Sequence, residues 1–330
     1  MSTGTATGTA AHNATGTATR TATRTATRHS TVTGDPASAS GPTLTLGDLL
    51  RAPKQCATVT TLRLDKSSWD ALGYTDDHRR AVLLALLRAC VRLHTLKATH
   101  LDFRTLDFLP RLPSLHTVDV SQCVQLVDLR ALGPAAPNLQ VAHFTGCRCL
   151  LSLDGLQHCT QLQSLWLEHC PVLADVTDVG ALRALRQLSL AHCYAVTNLL
   201  PLWSLAALEA LDVSGLQWLT TLRGLEHCHR LLVLVAVGCV RLRCVGALRE
   251  CTHLRVALLR FCPDLQDVGV LERLRQRARL RELDVTYGGS HLDTKQSNQS
   301  NQSNQSNQSN QSLERHSLGS MAPWGQTLMC

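Results

Sequence analysis

A period constrains this chain more than anything else in it. An apolar anchor recurs at Val118, Ala142, Leu165, Leu188, Leu211, Leu234, Ala257 and Leu283, in steps of 24, then 23 five times, then 26 residues. Three residues before each anchor stands a leucine: Leu115, Leu139, Leu162, Leu185, Leu208, Leu231, Leu254 and Leu280. Two residues after it stands another apolar side chain: Val120, Phe144, Leu167, Leu190, Val213, Ala236, Leu259 and Val285. A unit of this size cannot enclose a core of its own. It buries its apolar face only against the next copy, so the period requires a stacked repeat architecture.

One run shows the rule inside a repeat: Leu185, Leu188, Leu190, Cys193, Val196, Leu199, Leu202 and Leu205. Its first part alternates as a short strand does, with Leu188 and Leu190 on one face and Gln187 and Ser189 on the other. Its later apolar residues come every third position, which suits a 3₁₀-like or irregular return segment. About 12 residues separate one strand from the next, too few for a full helix with two loops. Neighbouring strands are therefore expected to be parallel.

The pattern Leu-x-x-Leu-x-Leu-x-x-Cys resembles the leucine-rich repeat family, in its short cysteine-type form of about 23 residues. Cys123, Cys147, Cys170, Cys193, Cys239 and Cys262 occupy the last motif position, and Leu216 interrupts that column. The combination with low-complexity tails is similar to leucine-rich repeat proteins of kinetoplastid protozoa. The resemblance implies an α/β repeat fold. It would be a solenoid with a curved parallel sheet on its concave face and short 3₁₀, irregular or helical convex segments. Residues 93–101 and the set Val59, Leu62, Leu64 read as two further repeats, about ten in all. Between them the insertion near 76–91 places acids first, an apolar body next and Arg88 near its end, an order that favours a helix. A second short helix is expected around Leu271 and Leu274, where the last repeat is longer.

Composition sets the boundaries. Residues 1–45 are rich in Thr, Ala and Gly, and the segment 291–330 contains Gln-Ser-Asn triplets. Neither has the apolar content to offset ordering entropy, so both are expected to be disordered tails around a solenoid at 46–290. No apolar run reaches the length of a membrane span, and the N-terminus shows no secretory signal pattern. The chain has 14 cysteines. Many fall on inward columns (Cys159, Cys228 and Cys251 share a second one), where they are expected to act as small apolar residues. Free thiols of this kind suit a reducing compartment. A cytoplasmic location is expected, with a mitochondrial or nuclear one as alternative; the acid-free, arginine-bearing start partly fits a mitochondrial transit peptide. No zinc half-sites stand at usable spacing, so no metal and no cofactor is expected.

Function is expected on the outward strand positions. His143, Trp166, Glu168, His169 and His192 fall in adjacent columns and are expected to form one compact patch, a hot spot for a protein partner. Asp212, Arg260 and Tyr287 share those columns. Toward the C-terminus Val235, Val237, Leu258 and Phe261 are expected to make an exposed apolar patch. Net charge is +7, and the stretch from Arg230 to Arg281 has eleven arginines against four acids, an excess of the same size. Arg273, Arg275, Arg277 and Arg279 form its basic patch, read first as a solvated convex face; no aromatic platform accompanies it, which disfavours nucleic acid. No phosphate loop, nucleophile elbow or zinc-protease motif is present. The expectation is a non-catalytic, monomeric scaffold that binds one or more proteins. The alternatives are a substrate-recognition subunit of a ubiquitin ligase, although 46–110 shows no F-box pattern, and a regulatory subunit that binds an enzyme.

Overall fold

The computed structural model describes residues 42–73, 75–276 and 280–286, all within the compact unit Ala39–Cys330. Eleven strands form one parallel sheet in strict chain order. They are β1 (Thr43–Thr45), β2 (Thr61–Arg63), β3 (Thr95–Lys97), β4 (Thr117–Asp119), β5 (Val141–His143), β6 (Ser164–Trp166), β7 (Gln187–Ser189), β8 (Ala210–Asp212), β9 (Val233–Val235), β10 (Val256–Leu258) and β11 (Glu282–Asp284). The anchor residues pair side by side, Leu165 with Leu188 and Leu188 with Leu211, so the period of the sequence is the register of the sheet.

Each strand is three residues long, yet the ladder runs past it. The amide of Leu167 donates to the carbonyl of Ser189 at 2.9 Å, and that of Leu190 to Asp212 at 2.8 Å. The inward leucines, valines and cysteines stack into one continuous core. Leu165, Leu185, Leu202 and Leu211 are fully buried, each contributing about 2 kcal/mol of apolar burial. The return segments are 3₁₀ turns at Leu156–His158, Thr177–Ala181, Leu200–Ser204 and Gly246–Arg249, as the three-residue apolar spacing requires.

The cysteines are more than apolar filler. In the motif column each thiol donates to a carbonyl of the preceding coil: Cys123 to Ala98 at 2.9 Å, Cys193 to Leu167 at 2.9 Å, Cys262 to Ala236 at 3.1 Å. The second column is looser, with Cys159 to Ala136 at 3.8 Å and Cys228 to Leu202 at 3.7 Å. Burial pushes the Cys123 and Cys147 thiols up to about 12, which keeps them protonated and able to donate. Leu216 fills the same slot by volume alone.

The N-terminal coils are built differently. β1 lies inside the 1–45 segment read as tail, so the ordered stack starts earlier than composition indicates. Thr45 and Asp48 close a capping box on helix α1 (Leu46–Arg51), which buries Leu46 and Leu49 over the first coil. Helix α2 (Lys66–Ala71) and helix α3 (Asp76–Ala89) follow β2. Trp69 is buried against Phe103 and Phe108 at ring distances of 5.8 and 6.3 Å. Its indole N–H donates to Asp102 at 2.6 Å, and Lys66 and Arg79 reach the same carboxylate. Helix α4 (Leu132–Ala135) is a single turn, and α5 (Val268–Arg275) occupies the longer last repeat. Residues 1–41, 74, 277–279 and 287–330, and with them Arg277, Arg279 and Tyr287, lie outside the described residues.

Candidate functional site: the sheet face and its strand-end edge

The residues flanking each anchor form the outward sheet face, and side chains from neighbouring strands crowd there. Ser189 is 0% exposed, Asp212 4% and Val235 6%, although the columns place them outward. The reason is the strand spacing of about 5 Å: a large side chain on one strand lies over its smaller neighbour on the next. The apolar patch expected to be exposed is thus mostly a second core. Val235 packs with Ala210, Val233 and Val256, and Trp166, Leu232, Val237 and Leu258 lean on them. Phe261 alone of that group remains half exposed, at 50%.

The five residues expected in one patch divide between the face and its edge. On the face, the rings of His143 and Trp166 stack with centroids 5.9 Å apart and planes 3° from parallel. Burial holds the His143 imidazole below its ordinary value, opposed by Asp119 and assisted by Lys97. Trp166 therefore has a histidine on one side and the apolar cluster on the other. Glu168 accepts a hydrogen bond from the Ser189 hydroxyl at 3.1 Å. Asp212 accepts from the Ser214 amide at 2.8 Å, and burial raises its carboxyl above the usual range.

At the edge, where the strands end, His169 and His192 stack with ring centroids 4.6 Å apart and 9° from parallel. Both belong to a column four residues after the anchor, and that column has a common backbone state. His100, Gln122, His169, His192 and Phe261 have φ between 56° and 61°, and Gly146, Gly215 and Gly238 have φ between 71° and 75°. This is the left-handed region, where a residue with a Cβ costs about 1 kcal/mol more than glycine. The glycines also make room. A Cβ at Gly146 would stand 2.5 Å from the Gln122 amide nitrogen, and one at Gly215 would stand 2.6 Å from His192 Nδ1.

The left-handed residue turns the chain so that the next side chains face the same space. Gln122, Gly146, Arg148, His169, Pro171, His192 and Tyr194 line an open depression of about 440 Å³ beyond β4 to β7. The Tyr194 hydroxyl lies 3.3 Å from His192 Nδ1. Burial, and then the neighbouring His169, holds the His192 imidazole below its ordinary value, while Asp212 opposes them. Sequence reasoning missed Arg148 and Tyr194. The available signal was the alternation of Gly with His and Gln in one column, the mark of a left-handed position.

The remaining sequence-predicted residues are dispersed. Arg260 is committed to Asp284 at 2.5 Å, and Arg243 to Asp264 at 3.4 Å, so the arginine-rich end is partly neutralised. Arg273 and Arg275 stand exposed on the last turn of α5. Among the described residues no group of three or more His, Cys, Asp or Glu side chains could hold a metal ion, and no helix is long and apolar enough to cross a membrane.

The architecture has known counterparts. The chain is similar to a leucine-rich repeat protein of Leptospira interrogans, with a TM-score of 0.55 at 17% identity over 74% of this chain and 65% of that one. It is also similar to internalin C2 of Listeria monocytogenes, with a TM-score of 0.51 at 21% identity over 62% of this chain and 84% of that one. No protein-family model matches the sequence, and no curated protein matches it. Likeness at these identities defines the fold: this chain is a leucine-rich repeat solenoid.

Proposed function

We propose that this chain is a non-catalytic scaffold that binds a protein partner through the sheet face and its strand-end edge. The observation that carries the reading is the setting of Trp166. Its ring stacks parallel to that of His143 and leans on the apolar cluster that begins at Ala210, so an aromatic anchor is held in place before any partner arrives. Pre-organisation of this kind lowers the entropic cost of association, and tryptophan is enriched among the residues that dominate interfaces. The protein acts as a monomer in this reading. The buried, unbridged thiols support a reducing compartment, and we place the protein in the cytoplasm on that ground. The six motif-column cysteines support assignment to the short cysteine-type repeats.

An affinity pull-down with mass spectrometry tests the reading, comparing wild type with the double variant Trp166→Ala/His169→Ala. A defined partner captured by wild type and lost in the variant is the expected result. Capture of the same partners by both would remove the sheet face from the interface.

A further inference from the structure

The strand-end depression has a chemistry of its own, distinct from that of the tryptophan platform. Its polar lining is made of groups that donate hydrogen bonds: the Gln122 amide, the Arg148 guanidinium, the imidazoles of His169 and His192, and the Tyr194 hydroxyl. No carboxylate lines it. The ion pairs of the described residues leave Arg148 unpaired, and its side chain is exposed. Three of these side chains stand at left-handed positions, Gln122 at φ 61°, His169 at φ 57° and His192 at φ 60°, while Gly146 and Gly215 fill the same column between and beyond them. Glycine would relax each position. Gln122 and His192 are seated over Gly146 and Gly215, and His169 stacks on His192. The left-handed state recurs at His100 and Phe261, but here it gathers large polar side chains around one depression, a place where the side chains themselves are used.

We infer that this depression binds a carboxylate side chain of an acidic peptide segment in the partner. The inference rests on the scaffold reading and names the chemistry of its edge. Arg148 supplies the permanent charge and the forked donor geometry that fits a carboxylate. His169 and His192 supply ring N–H donors, and the charge of His192, held down by burial and its stacked neighbour, responds to an anion. Pro171 and the Tyr194 ring give the apolar wall against which the methylene stem of a glutamate packs. Arg148 and Tyr194 line the depression with the pair, Asp212 acts on His192 from the sheet face, and Glu168 precedes His169 in the chain. Only Asp212 and Glu168 are acids, and both are engaged on the sheet face, Asp212 with Ser214 and Glu168 with Ser189.

The test uses the full chain as bait for a display library of random dodecapeptides, followed by titration of one synthetic consensus peptide. Retained peptides are expected to share an Asp or Glu at one fixed position. Changing that residue to its amide, or making Arg148→Ala, is expected to weaken binding about tenfold or more, the effect of a lost charge-assisted pair. Affinity is expected to rise as pH falls from about 7 toward about 5, because burial holds His192 below its ordinary value, and His192→Gln should flatten that rise. Each variant is checked for an unchanged melting transition. The inference is overturned if no peptide is retained, if the retained set has no acidic position, if acid binding is indifferent to Arg148, or if a single-stranded oligonucleotide binds in preference to the peptide. Loss of the pulled-down partner with Trp166→Ala but not with Arg148→Ala would leave the scaffold reading standing and remove this one. The opposite pattern would retain the carboxylate site and remove the tryptophan platform.

Discussion

The two halves of the sheet face are folded by one repeat and yet are made of different matter. From β5 to β7 the outward positions are occupied by His143, Trp166, Glu168 and Ser189, with His169 and His192 at the edge; from β8 to β10 they are occupied by Ala210, Val233, Val235, Val256 and Leu258, with Asp212 the one carboxylate among them. Nothing in the inward pattern distinguishes the halves, since Leu165, Leu188, Leu211 and Leu234 are equally buried to within a percent. The outward columns are therefore free to differ because the core does not use them. The second half spends that freedom on stability, closing a small apolar cluster above the sheet. The first half keeps polar rings and a carboxylate at the surface, which a stack would not need for its own cohesion.

The comparison breaks most sharply at Val233. This side chain is 3% exposed within the apolar cluster, and Val233→Asp would bury a carboxylate without a partner. A loss of about 3 kcal/mol or more is expected in urea denaturation. The matching change in the first half, Ser164→Asp, falls on a half-buried position, and a much smaller loss is expected there. Equal losses would mean that the halves do not differ in packing.

Backbone strain gives the next effect. Gly238 has φ +71°, and nothing lies within 4 Å of a Cβ built on it. Gly238→Ala should therefore cost about 1 kcal/mol from conformation alone. Gly215→Ala carries the same cost and in addition pushes the His192 ring away. Chemical-shift change at the His192 ring in that variant, with none in Gly238→Ala, would separate the two effects.

The smallest effects are titrations. Burial holds the His143 and His192 imidazoles below their ordinary value. Their contribution to stability is complete above the unfolded-state value and declines as pH falls through it toward the folded value. Replacing both with glutamine should flatten the loss between about pH 7 and about pH 5. Asp212 has the opposite sign. Burial raises its carboxyl, so the charged form is disfavoured in the fold, and acid relieves that penalty as pH falls through the raised value. Asp212→Asn should stabilise the protein at neutral pH, with the gain vanishing in acid. A gain that persists at low pH would show that packing and not charge is responsible.

Much of the fold was legible because its determinants are one-dimensional. Anchors 23 residues apart can stack in one register only, and the columns on either side follow from alternation. The α3 segment and the short helix of the last repeat were visible in the same way, as interruptions of the period. β1 was hidden because its three residues, Thr43, Leu44 and Thr45, bring one leucine to the pattern and adjoin a biased tail. The site was legible in its columns only. His169 and His192 could be placed as neighbours; that Trp166 covers its neighbours on the later strands, that Gln122 leans over Gly146, and that Arg148 and Tyr194 join the histidines could not.

By itself, then, the sequence determined the parallel stack, its register, and which side chains face inward, because burial of a periodic apolar column depends on spacing alone. Only the tertiary structure decided which outward residues are covered and which line the depression. Those outcomes depend on side-chain lean across a strand spacing of about 5 Å and on the sign of φ at one position per coil, and neither is a property of a residue in its own repeat.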